Sequence, residues 1–402
     1  MLSGAHGEGT RFAMRLIVRV AEQFDAERLI DIRSAHVASA YLQGPANLDF
    51  AKRLADANTR VAVPTSLTAC SLNLGDERSE NDAAARQLID LYVGMGCNPV
   101  MTCAPYHVVA EPAFGEHIAW CESSAVVYAN SVLGARSNRY VEFVDMCAAV
   151  TGRVPDVGLH RTEHRAATLL YDVAGIPESW LEDEWFYHLL GIFIGRDAGN
   201  GLPAITGLPD DCRTEQLRAL GAAAASSGAV SMVHAVGITP EAPTLEAAFH
   251  GMPPRREVHV NRQTITGAAN RLGRERDAEL SAVCVGAPHF SFEGFEALIE
   301  LLSGRRVDAA VRFYAATSAA VVGRLESAGM LNTLMSGGVE FVVGRCTYYR
   351  PAMPGTRGHV MTNSGKWAYY APSGLGCSVT FASLRECVES ACAGRIKLLE
   401  EI

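Results

Sequence analysis

The sequence has no concentrated positive charge. Its 35 Lys and Arg are outnumbered by 44 Asp and Glu, for a formal net charge of −9. The densest basic segment, NRLGRERD (270–277), is diluted by its own acids. Binding a nucleic acid needs a basic face to neutralise phosphates, so no nucleic acid partner is expected. Long apolar runs are also missing. The longest charge-free span, ALGAAAASSGAVSMVHAVGITP (219–240), is interrupted by Gly and ends in Pro, which predicts a helix followed by a strand and no membrane span. The opening MLSGAHGEGTRFAMRL carries glycine and charge where a secretory signal needs a continuous apolar core. Neither G-x-S-x-G, Walker A nor G-x-G-x-x-G is present, which disfavours serine hydrolases and phosphate cradles. The eleven cysteines contain no C-x-x-C pair. Without a secretory signal they are expected to be reduced and cytoplasmic, most of them small buried hydrophobes.

What is present is an ordinary globular composition, 49% hydrophobic and 20% charged, over 402 residues. That length predicts two or three packed subdomains. Strand-like runs alternate with helical patterns, the signature of an α/β layered fold. The strand-like runs include 28–37, 59–67, 98–106, 229–236, 256–261, 281–290, 308–317 and 339–349; helices are expected at 47–57, 81–96 and 295–304. Boundaries near 205–212 and 273–280 give expected subdomains 1–205, 206–278 and 279–402. Several strands run out into polar loops: Thr65-Ser66, Cys103-Ala104-Pro105-Tyr106, Gly286-Ala287-Pro288-His289 and Arg345-Cys346-Thr347. In open α/β sheets ligands bind beyond the carboxyl ends of strands, so these loops are expected to converge on one site.

The segment WCESSAVVYANSVLGAR (120–136) is unusual. On a helix, Ala125, Tyr128, Ala129 and Val132 form an apolar stripe, and beside it run Ser123, Val127, Asn130, Ser131 and Gly134. A solvent-facing stripe normally carries long charged residues. Short polar ones serve either close packing or the wall of an enclosed polar cavity, and Asn130, a poor helix former with four hydrogen bonds to satisfy, favours the cavity. Cys103 and Cys346 sit on loops after strands, as ligands of an iron–sulfur cluster often do. Lys366, in HVMTNSGKWAYY (359–370), is a candidate anion-binding or proton-transfer group. His160 and His164 have a possible metal spacing but no H-E-x-x-H context.

Together the segments ML.G..G, DIRSAHV, VAVPTSL, CAPY, WCESSAVVYANSVLGARSNR, GLH, GAPH and TNSGK..YYAP resemble the aconitase X family over nearly the whole chain. The resemblance implies aconitase-like α/β/α layers around a central cleft, an iron–sulfur cluster and a hydro-lyase. The implied substrate is cis-3-hydroxy-L-proline, giving pyrroline-2-carboxylate, or mevalonate 5-phosphate. It also implies a small swivelling domain, fused or separate, that carries a catalytic Ser; at 402 residues the chain is expected to be the large subunit, with the small one as its partner. Cluster ligands carry over to Cys103, position 287 and Cys346. Position 287 is Ala. Cys284 or Cys121 is then the substitute thiol, and the outcomes left open are an altered cluster such as 2Fe–2S, a mononuclear metal, or none. In the reaction so implied, Lys366 with Arg136 or Arg139 holds the substrate carboxylate. Ser66, Glu122, Ser123, Ser124 and Asn130 line the substrate, while His36, His289 and Ser364 join Lys366 as catalytic groups. The candidate loops show few Lys or Arg for a phosphate, which favours hydroxyproline. The rival reading is a non-catalytic large subunit that has lost its cluster.

Overall fold

The structure is a computed structural model and describes residues 1–38, 44–75 and 83–399. Short strands rich in Ala, Val and Leu form three parallel sheets and one antiparallel pair. In the pair, β1 (Leu29–Asp31) lies against β5 (Arg153–Pro155). The first parallel sheet has the order β3-β2-β4, with β2 at Ala35–Val37, β3 at Thr65–Leu67 and β4 at Ala119–Trp120. The second has the order β8-β7-β6-β9: β6 is Leu169–Asp172, β7 Pro203–Thr206, β8 His234–Ala235 and β9 Arg256–His259. The third, β12-β11-β10-β13-β14, contains β10 (Leu280–Val285), β11 (Arg312–Thr317), β12 (Val339–Val343), β13 (His359–Thr362) and β14 (Ser378–Phe381). Helices fill the crossovers, as parallel pairing requires.

The sheets divide the chain near 165 and near 275. The expected boundary at 278 falls just before β10, whereas the one at 205 cuts through β7, because the second sheet has already begun at β6. Several expected strands are mostly loop, and of 229–236 only His234–Ala235 pairs. Of 59–67 only Thr65–Leu67 pairs, since Pro64 has no N–H to give a ladder. Of 98–106 only Asn98 forms a bridge, to Ser66, and Pro105 opens a short 3-10 turn. The helix expected at 81–96 is Ala83–Gly94, and its first two expected residues lie outside the described part. The Ala-rich run is a helix, Thr214–Ser227, followed by β8.

Small residues make the helical layer dense. The Glu184–Asp197 helix presents Gly191 and Gly195 to the Thr214–Ser227 helix. A Cβ at Gly191 would lie 2.4 Å from the Leu220 carbonyl oxygen, and one at Gly195 2.5 Å from that of Ala224. On its other side the Thr214–Ser227 helix uses Gly221 to admit Val127 of the Ser123–Ser131 helix. Every residue of that helix from Ser124 to Ser131 is buried.

Candidate active site

The polar loops do converge. Cys103 comes from the irregular segment after the Asn98–Ser66 bridge, His289 from the loop after β10, and Cys346 from the loop after β12. All three are buried, and their ligand atoms lie within 4.8 Å of one another. The His289 backbone N–H donates to Cys103 Sγ at 3.3 Å. The His289 ring shares hydrogen bonds with Thr102 Oγ1 (3.0 Å) and the Arg345 carbonyl (3.2 Å). A hydrogen bond from Cys346 outweighs burial and pulls the Cys103 thiol below the ordinary range, with His289 and Lys366 assisting. The same bond, with burial, pushes Cys346 up. One proton shared by two thiols beside a cation is a partly prepared ligand set, because thiolates and not thiols bind metal.

Lys366 and Glu122 form the second half of the site. Lys366 Nζ lies 2.5 Å from Glu122 Oε1 and 3.4 Å from Ser124 Oγ. The Ser124 and Ser123 hydroxyls donate to the same carboxylate oxygen at 3.2 and 3.4 Å. Burial alone would discharge both partners. For Lys366 it is overcome by Glu122 and the two thiols, so the ammonium stays charged far above its usual range. For Glu122 burial is overcome by Lys366, so the carboxyl is held below its ordinary value. Cys103, Cys346 and Glu122 line a cavity of about 210 Å³ together with Thr68, Glu142 and Tyr349.

The remaining expected residues separate into near and far. His36 and Ser66 face each other across β2 and β3 and share a 2.8 Å hydrogen bond. Burial drives His36 down to about 4 against the opposing pull of Glu122, so its imidazole is neutral at pH 7. Ser364 caps the Gly365–Leu375 helix by accepting the Trp367 N–H, and it donates to the Ala287 carbonyl. Through these two bonds it pins the 287 loop to the start of the Gly365–Leu375 helix.

Asn130, Arg136, Arg139 and Cys284 are not on this cavity. Asn130 donates to the carbonyls of Ser137 and Ser231 and accepts from Ser137 N–H and Arg165, which satisfies all four of its bonds inside the protein. Of the short polar face, then, only the first turn, Ser123 and Ser124, touches the site; the rest serves packing. Arg136 binds the His160 carbonyl and Thr162 Oγ1, and Arg139 the carbonyls of Ala225 and Gly228. Cys284 is buried on β10, bonded to Thr347 and pushed up by burial. Cys121 lines the cavity but is pushed up by burial and by Asp145, and it is not among the three clustered ligands. His160 binds His117 Nδ1 and the Tyr140 hydroxyl, and His164 sits on a separate 3-10 turn, so they form no metal pair. Thr68 and Glu142 also line the cavity, and neither falls in a recognisable sequence motif.

The chemistry of the donor set can be tested against an implied metal group. Ala287 supplies no ligand, so the three-thiolate set implied by the resemblance is not met. Two thiolates and one imidazole do suit a transition metal with a position left for substrate. Ligation through one ring nitrogen of His289 leaves the other to keep its orienting partner.

The chain matches the aconitase X first domain over 1–163, the second over 167–270 and the third over 280–393. Cis-3-hydroxy-L-proline dehydratase of Pseudomonas aeruginosa is 41% identical over 98% of this chain and 69% of its own length. The Hypocrea jecorina enzyme of the same name is 38% identical, over 98% and 67%. The phosphomevalonate dehydratase large subunit of Thermococcus kodakarensis is 31% identical over 97% of both. A crystal structure of Thermococcus kodakaraensis aconitase X in its holo-form superposes with a TM-score of 0.85 at 29% identity, covering 97% of each chain. Three domain matches in order, and relatives covered over two thirds or more of their length, establish that the chain belongs to the aconitase X family.

Proposed function

We propose that this chain is the catalytic unit of a hydro-lyase that dehydrates cis-3-hydroxy-L-proline to pyrroline-2-carboxylate. The observation that carries the reading is the buried Cys103–His289–Cys346 set beside the Lys366–Glu122 pair. Two relatives that share 41% and 38% identity with the chain over 98% of its length are named for that reaction. Iron, alone or in a sulfide cluster such as 2Fe–2S, would be held by Cys103, Cys346 and His289. When bound it supplies a Lewis acid for the departing hydroxyl. Lys366, kept charged, holds the substrate carboxylate and stabilises the negative charge that builds there as the Cα proton leaves. Glu122 fixes the ammonium and the Ser123 and Ser124 hydroxyls that border the substrate. His36, neutral and tethered to Ser66, sits close enough to Glu122 to feel its charge. The proton itself would pass to the Ser that the resemblance places on a small swivelling domain. A partner of that kind also fits relatives named as large subunits.

The mevalonate 5-phosphate reading fits less well. Among the described residues that line the cavity, Glu122 and Glu142 are charged negatively and no Arg is present to receive a phosphate. Reduced thiols at the centre suit the cytoplasm. Among the described residues, no helix is long and apolar enough to cross a membrane.

The test is iron and acid-labile sulfide content after anaerobic purification with the small chain, followed by turnover of cis-3-hydroxy-L-proline. Stoichiometric iron with turnover supports the reading, and sulfide tells a cluster from a single ion. A folded, paired protein with neither metal nor turnover is the non-catalytic subunit.

A further inference from the structure

Two polar groups on the cavity wall are left without a matching partner. Thr68 is held at the end of β3 by its N–H to the Val37 carbonyl (3.0 Å) and is 4% exposed. Its hydroxyl has no hydrogen-bond partner. Buried polar groups are nearly always satisfied, so an orphaned hydroxyl on a cavity wall marks a position that a ligand completes. Glu142 lines the same cavity. Its carboxylate accepts one hydrogen bond, from Asn47 Nδ2 at 2.7 Å, and among the described residues it has no cationic partner. The backbone that presents it is unusual. Phe143 has φ +72°, which a bulky residue rarely adopts, and its ring is held against Phe50 with centroids 4.6 Å apart. The turn from Val141 to Val144, closed by a 3.2 Å hydrogen bond, is thus pinned at the residue after Glu142.

The charges sharpen the point. Lys366 already neutralises Glu122 at 2.5 Å. Glu142 is therefore a surplus negative charge in a 210 Å³ cavity. Such a cavity discriminates by electrostatics in favour of a cationic ligand and against a phosphorylated one. The ring nitrogen of a protonated proline is a secondary ammonium with two N–H donors and one positive charge.

We propose that Glu142 and Thr68 together receive the two N–H groups of the substrate's ring ammonium, making them the residues that select an imino acid. This rests on the hydroxyproline reading of the same cavity. The carboxylate takes one N–H as a charged hydrogen bond and the Thr68 oxygen accepts the other. Holding the nitrogen protonated also acidifies the neighbouring Cα–H that the dehydration must remove.

The test compares wild type with Glu142→Gln, Glu142→Asp, Thr68→Val and Thr68→Ser, each with its small chain and metal. The substrate is cis-3-hydroxy-L-proline, and the probe is cis-2-hydroxycyclopentane-1-carboxylate, which lacks the nitrogen, used as a competitive inhibitor. Loss of a charged hydrogen bond in Glu142→Gln should raise KM about 10- to 100-fold, more than it lowers kcat, with partial rescue by Asp. Thr68→Val should raise KM roughly 3- to 10-fold, with rescue by Ser. The Ki of the carbocycle should not rise in any variant, because it has no N–H to lose, and in Glu142→Gln it should fall as a negative charge facing an anion is removed. Unmoved KM values in both Gln and Val variants overturn the assignment. A rise in KM matched by an equal rise in the carbocycle Ki also overturns it, since that is the mark of a merely structural role. If wild type itself does not turn over hydroxyproline, the proposed function falls and this inference falls with it.

Discussion

Asn130 and Lys366 were both legible as unusual residues, but for different reasons. Asn130 is a poor helix former on a helix, which signals only that its four bonds must be met somewhere. They are met by Ser137, Ser231 and Arg165, so its role is packing and not chemistry. Asn130→Leu should accordingly cost about 3 kcal/mol or more of stability by orphaning several buried groups. The denaturant midpoint measures this, and a variant of full stability with no turnover would return Asn130 to the site. Lys366 is the opposite case, its charge maintained by Glu122 and the thiols. In wild type the Glu122 carboxyl is held low, so the pair's stabilisation is complete above the unfolded carboxyl value near ~4.3 and is lost as pH falls through the lower folded value. With Met at 366, burial, the largest influence on Glu122, outweighs what is left to oppose it, His36 and a Ser124 hydrogen bond, and raises that carboxyl. The Lys366→Met variant should then lose stability as pH rises from about 5 to about 8, reaching a deficit of roughly 3–5 kcal/mol, because the folded state must give up a proton it prefers to keep. Urea midpoints at the two pH values check the sign; parallel trends in variant and wild type would mean that Lys366 is not what ionises Glu122.

Among the elements, the long patterned ones were readable and several short buried ones were not. The Ala-rich helix Thr214–Ser227 and the amphipathic Ala83–Gly94 helix follow from periodicity. By contrast β6 (LLYD), β7 (PAIT), β13 (HVMT) and β14 (SVTF) are four-residue parallel strands, buried on both faces or nearly so, and such strands carry no alternation to detect. The small residues of the Ser123–Ser131 helix could be read either as a cavity wall or as a packing face. The structure divides them by position: the first turn faces Lys366, and the remainder meets Gly221 and the Thr214–Ser227 helix. The same economy explains Gly191. Replacing a helical Gly by Ala gains up to about 1 kcal/mol of propensity. Here, however, the new Cβ would stand 2.4 Å from the Leu220 carbonyl, and overpacking of that kind costs about 1–3 kcal/mol. Gly191→Ala should therefore lower the melting temperature despite its better propensity. A rise would show that the two helices can part without penalty.

Across the whole molecule, the site is assembled from parts that sequence distance hides. Cys103 and Glu122 belong to the first unit, while His289, Cys346 and Lys366 belong to the third, and 244 positions separate Lys366 from Glu122. The loops after strands could be read from their Thr, Cys, Pro and His content; which of them meet could not, because that depends on how the first sheet is set against the third. His289 illustrates the difference. The resemblance puts a ligand at 287, where this chain has Ala, and the substitute expected from the sequence is Cys284 or Cys121; the group that stands with the two thiols is instead the imidazole of His289. A metal bound there would tie the first unit to the third through ligands that only the folded chain brings together, and would so stabilise the fold by mass action. Ferrous iron added anaerobically at a hundredfold excess over its Kd should contribute about 2.7 kcal/mol and raise the melting temperature by several degrees. Cys103→Ser and Cys346→Ser should each abolish that increment. Cys284→Ser should keep it, because the Cys284 thiol is buried against Thr347 on β10 and outside the clustered ligands. An increment that survives in Cys103→Ser or Cys346→Ser, or disappears in Cys284→Ser, would place the metal elsewhere and separate it from the Lys366–Glu122 pair.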